Sequence, residues 1–98
     1  MPRIFLVVHG IVQGVGYRAF VKAQAERHSV KGFVRNMSDG SVEILAEADE
    51  TKLKAFIDDI KVDEGRHHQV FKVEIENSKL KQFEGINYNN FEFTVKYF

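Results

Sequence analysis

Residues 7–20 read "VVHGIVQGVGYRAF": a β-branched apolar run breaks into three glycines within seven residues, and a single arginine follows. The run belongs to "RIFLVVHGIV" (3–12), which is rich in β-branched and aromatic residues, too short for a buried helix, and interrupted by glycine. It predicts a strand near the centre of a sheet. The residues after the glycines, "YRAFVKAQAERH" (17–28), are good helix formers and place Phe20 and Ala23 on one side. They predict a helix opening directly from the glycine turn.

Such a junction leaves the first helical N–H groups without intrahelical partners, and the helix dipole adds partial positive charge there. Gly14 and Gly16 allow successive N–H groups to turn inward as a nest for phosphate oxygens. Arg18 follows where a guanidinium fork grips two of those oxygens. Spacing alone leaves a plain strand-to-helix connection with a solvated arginine equally open. The loop lacks the glycine-lysine-serine/threonine ending of a nucleoside triphosphate loop and the third glycine of a dinucleotide fingerprint. Any anion it holds is therefore small.

Outward from this stretch, "VKGFVRNMSDGSVEILAEA" (30–48) contains two β-rich runs separated by "SDG", a hairpin signal. In the second run Val42, Ile44 and Ala46 alternate with Glu43, Leu45 and Glu47, which predicts one face buried more fully than the other. "DETKLKAFIDDIK" (49–61) sets Leu53, Phe56, Ile57 and Ile60 on one helical face behind an acidic first turn. "QVFKVEIEN" (69–77) and "NFEFTVKYF" (90–98) alternate with period two and predict strands, with Phe71, Val73 and Ile75 sharing one side of the first. The order β-α-β-β-α-β is the ferredoxin-like split βαβ pattern of an α+β domain: an antiparallel sheet, two helices on one face, and a C-terminal strand.

The 98 residues, 44% hydrophobic with nine phenylalanines, suit one domain over 1–98 with a single core. Fourteen basic and fourteen acidic residues cancel, which argues against the concentrated basic surface of a nonspecific nucleic-acid binder. The absence of cysteine excludes disulfides, thiolate metal sites and cysteine nucleophiles. The apolar run near the N-terminus is too short for a signal or membrane segment, so a cytoplasmic location is expected.

"GIVQGVGYR" (10–18) resembles the first signature of the acylphosphatase family, and "GFVRNMSDGSVE" (32–43) resembles the second. The resemblance implies hydrolysis of a carboxyl-phosphate anhydride to a carboxylate and inorganic phosphate, without a metal or other cofactor. It makes Arg18 and Asn36 catalytic, the arginine binding the phosphoryl group and the asparagine orienting the attacking water. Gly14, Val15, Gly16, Tyr17 and Arg18 would bind the phosphate through the loop. A small acyl phosphate would be the substrate and inorganic phosphate or sulfate competing anions. A monomer with no nucleic-acid or membrane partner is expected.

Without the resemblance, Asn36 reads first as a side chain that ties down a turn. The chain departs from the family pattern in Tyr17, where phenylalanine is more usual, in Ala48, where glycine is common, and in "VDEGRHHQV" (62–70), which lacks prolines often found there. His67 and His68 in that stretch read as a solvated loop and a poor two-ligand pair. His9 and His28 read as structural, the latter favourable at a helix C-terminus when charged. Two other readings share the architecture. An RNA-binding domain would show aromatics on its third strand, but "SVEILAEA" has none. A non-catalytic anion-binding regulatory module would have no need of both Arg18 and Asn36.

Overall fold

The apolar run that begins the chain forms β1, Arg3–Ile11, next to the edge strand of a five-stranded sheet. The computed structural model describes residues 1–86 and 93–96. After β1 come α1 (Tyr17–Arg27), β2 (Lys31–Asn36), β3 (Val42–Glu47), α2 (Glu50–Ile60), β4 (Gln69–Ile75), a 3₁₀ segment (Asn77–Phe83) and β5 (Phe93–Lys96). The sheet order is β4-β1-β3-β2-β5. All neighbouring pairs are antiparallel except β2 and β5, which run parallel. This is the ferredoxin-like α+β fold with one further strand, and that strand makes the sheet mixed. Of the expected strand over 90–98, residues 90–92 and 97–98 lie outside the described residues.

The helices cover one face. Leu6, Val8, Val34 and Ile44 of the sheet meet Val21 and Ala25 of α1 and Phe56 and Ile60 of α2 in the main core. The buried line of α1 is Tyr17, Val21 and Ala25, at intervals of four. Phe20 is half-buried, and Ala23 faces solvent rather than joining it. α2 buries Leu53, Phe56 and Ile60 as its periodicity predicts, and its N-cap Asp49 accepts a hydrogen bond from the Lys52 N–H at 2.9 Å.

The opposite face is covered too, by the 3₁₀ segment, which sequence periodicity did not indicate. Phe83 stacks on Phe5 with ring centroids 5.6 Å apart and lies 5.3 Å from Phe33, enclosing Val7 and Leu45. β3 is consequently buried on both faces, contrary to the expected asymmetry. Even Glu43 is 1% exposed, its carboxylate held by Arg35 Nη2 at 2.6 Å and Lys79 Nζ at 2.7 Å. Removing either cation would leave a buried charge short of a partner, a costly change.

β4 departs most from its pattern. The β1–β4 register shifts between His9 and Gly10, so Phe71 falls out of line and is exposed, while Val70 and Val73 pack against the core. Gly10 permits the shift: with φ 147°, a Cβ there would stand 2.0 Å from the Gln69 carbonyl oxygen. No helix among the described residues is long and apolar enough to cross a membrane.

Candidate active site

The glycine loop between β1 and α1 takes the conformation that its composition requires. Gly14 and Gly16 have φ of 74° and 80°, in the left-handed region that a Cβ disfavours. Gly16 is the N-cap of α1 and provides no side chain to occupy the helix start. The first intrahelical bond runs from the Phe20 N–H to the Gly16 carbonyl at 3.1 Å. The N–H groups of Tyr17, Arg18 and Ala19 therefore precede the helical ladder, at its electropositive end. Val12, Gly14, Gly16, Tyr17, Arg18 and Ala19 line a hollow of about 140 Å³. Val15 takes part in the turn while its side chain packs against the main core.

Arg18 is half-buried, and its Nη1 donates to the Lys96 carbonyl at 2.9 Å, so the C-terminal strand fixes the guanidinium beside the loop. Tyr17 is 1% exposed, and its hydroxyl donates to the Ile60 carbonyl at 2.9 Å. That bond satisfies a carbonyl at the end of α2 and ties it to the start of α1, where phenylalanine would supply only the ring. Burial pushes the Tyr17 phenol well above its ordinary pKa.

Asn36 ends β2 and lines a neighbouring hollow with Arg35, Met37 and Ser38. Its Oδ1 is buried and has no hydrogen-bond partner among the described residues. The hairpin turn beyond it is held by other groups: Asp39 Oδ1 accepts from the Ser41 N–H at 2.9 Å and from its hydroxyl at 2.5 Å. Asp39 thus performs the turn-tying role that the sequence alone assigns first to Asn36, and those Ser41 bonds hold its carboxyl below the usual range.

Gln13 was not singled out in the sequence, yet it joins the two motifs. Its Nε2 donates to the Met37 carbonyl at 2.7 Å and to the Ser41 carbonyl at 2.8 Å, across from the glycine loop to the hairpin. The available signal was a lone amide in an otherwise apolar and glycine-rich turn. His68 also differs from expectation: it is 2% exposed, lies 4.8 Å from the Tyr17 ring and 4.7 Å from the Phe20 ring, and pairs with the Val62 carbonyl at 2.8 Å. It packs behind the helix start rather than lying in a solvated loop. His9 and His28 pair with Glu74 and Asp59, at 2.6 and 2.5 Å.

A ferredoxin-like α+β domain with a glycine loop and arginine at the β1–α1 junction, linked to an asparagine-bearing hairpin, defines a narrow class of small domains. The Acylphosphatase family model matches residues 4–93. An acylphosphatase of Ligilactobacillus salivarius is 38% identical over 94 residues, covering 96% of this chain and 99% of that protein. One from Bacillus velezensis is 48% identical over 61 residues, 62% of this chain and 68% of that one. The crystal structure of acylphosphatase from Bacillus subtilis superposes with a TM-score of 0.78 at 33% identity, covering 99% of this chain and all of the other. The chain belongs to the acylphosphatase family.

Proposed function

We propose that the chain hydrolyses acyl phosphates without a metal, with Arg18 and the backbone of residues 14–18 binding the phosphoryl group and Asn36 orienting the water. The observation that carries this reading is the Gln13 bridge, which holds the glycine loop and the Asn36 hairpin as one unit. Phosphoryl transfer asks little covalent chemistry of a protein; positioning and stabilisation of charge on the peripheral oxygens dominate. The loop N–H groups and the guanidinium meet that demand.

Water attacks phosphorus in line as the bond from phosphorus to the acyl oxygen breaks, and the electron pair leaves on the carboxylate. The conjugate acid of that leaving group has a pKa of about 4 to 5, so it departs without a general acid. The buried Oδ1 of Asn36 suits acceptance of a hydrogen bond from water, which aims the oxygen lone pair. An amide does not take the proton at neutral pH. A phosphoryl oxygen of the substrate receives it, and the products are carboxylate and inorganic phosphate.

The test is release of carboxylate from a simple aryl acyl phosphate, measured with and without a chelator. Equal rates in both, with competitive inhibition by phosphate and sulfate, are expected. Activity that disappears with chelator and returns only with a divalent ion overturns the metal-free mechanism.

A further inference from the structure

Gln13 stands between Val12, which is buried in the main core, and Gly14, whose φ is 74°, so its backbone is held on both sides. Its half-buried side chain carries two N–H donors on one nitrogen and uses both, toward the Met37 carbonyl at 2.7 Å and the Ser41 carbonyl at 2.8 Å. One carbonyl lies just beyond β2 and the other just before β3, so a single amide touches both arms of the hairpin.

The hairpin does not depend on these bonds to close. The Met37 N–H donates to the Ser41 carbonyl at 2.8 Å and the Gly40 N–H to the Met37 carbonyl at 3.2 Å, so each of the two carbonyls already has a backbone donor. Asp39 holds Ser41 from within the turn as well. What the Gln13 amide adds is separation: it sets how far the hairpin stands from the glycine loop.

That separation carries over to Asn36. Asn36 lies two residues beyond Val34, which packs in the main core, and therefore points to the helix-bearing face of the sheet. Its Oδ1 has no hydrogen-bond partner among the described residues, so the oxygen goes where the hairpin backbone takes it. The next residue, Met37, is one of the two that Gln13 grips.

We infer that Gln13 is a positioning residue for hydrolysis, setting through the hairpin the gap between a phosphoryl group on the loop and the water aimed by Asn36. The inference rests on the role proposed for Asn36 above. In-line attack tolerates little error in that gap, and a misplacement of about 1 Å costs on the order of 10²-fold in rate. The chemistry asks for an amide: glutamate has the same length, yet its ionised carboxylate offers no donor and would face two carbonyl oxygens. Methionine matches the length without charge or donor, and it leaves both carbonyls with their backbone partners.

The experiment is a double-mutant cycle of Gln13→Met and Asn36→Ala, with hydrolysis of an aryl acyl phosphate at saturating substrate and calorimetric titration of inorganic phosphate on all four proteins. Gln13→Met should fold with a wild-type circular dichroism spectrum and lose roughly 10- to 100-fold in turnover. Its phosphate affinity should stay within about twofold of wild type, and in the Asn36→Ala background the same change should cost less than about twofold more, because residues that act as one unit are not additive. A chain that no longer folds, wild-type turnover, a parallel fall in phosphate affinity, or an equal loss in both backgrounds would each overturn the inference. If Asn36→Ala is slow and Gln13→Met is not, the inference alone fails. If Asn36→Ala itself keeps the wild-type rate, the role proposed for Asn36 fails and takes the inference with it.

Discussion

Arg18 is held by the Lys96 carbonyl from one side and faces the loop hollow from the other, so its geometry is set before any anion arrives. Arg18→Lys should lose most activity and phosphate affinity while melting normally, because an ammonium does not reproduce a planar two-point grip. Turnover close to wild type in that variant would remove the arginine's assigned role. The two kinds of glycine in this region separate in the same way. Nothing lies within 4 Å of a Cβ built on Gly14 or Gly16, whereas one on Gly10 strikes the Gln69 carbonyl. Gly16→Val should therefore cost activity and anion affinity together, with a local strain of about 1 to 3 kcal/mol. Gly10→Val should lower the melting temperature more, since β1 and β4 must part to admit it. Equal melting of the two variants, or unchanged phosphate binding by Gly16→Val in amide chemical shifts of residues 14–18, would refute the separation.

Among the elements, the two helix starts and the hairpin were legible because each depends on local chemistry: glycine before α1, Asp49 before α2, Asp39-Gly40 between β2 and β3. Faces set by distant contacts were not legible. Nothing local in β3 reveals that Phe83, nearly forty residues on, covers Leu45, or that Lys79 neutralises Glu43. Likewise the alternation of β4 was visible, but the register shift that turns Phe71 outward belongs to its pairing with β1. In the candidate site, the residues came from motif resemblance, while the Gln13 bridge and the Tyr17 tie to α2 needed coordinates. The second of these makes a pH prediction. The Tyr17 phenol is raised in the folded chain by burial, so the protonated form is favoured by folding. Its contribution is complete below the ordinary tyrosine pKa of about 10 and is lost as pH rises beyond it. Wild-type stability should fall steeply above that pH. Tyr17→Phe should be about 1 kcal/mol less stable at neutral pH and show a shallower alkaline decline in denaturant midpoints. Parallel curves for the two proteins would mean that Tyr17 does not govern alkaline unfolding.

At the scale of the molecule, one sheet serves two edges and two faces. α1 and α2 close one face, the 3₁₀ segment closes the other, and β5 at one edge supplies the carbonyl that holds Arg18. The loop is thereby fastened at three places: by Arg18 to β5, by Tyr17 to α2 and by Gln13 to the hairpin. Division of labour between loop and asparagine is the central claim, and one variant tests it most directly. Asn36→Ala, assayed for hydrolysis of an aryl acyl phosphate and titrated with inorganic phosphate by calorimetry, should lose on the order of 10² to 10³ in rate. Its phosphate affinity should stay close to wild type. A fall in phosphate affinity that matches the fall in rate would contradict the account, because Asn36 would then be shaping the anion site rather than aiming the water.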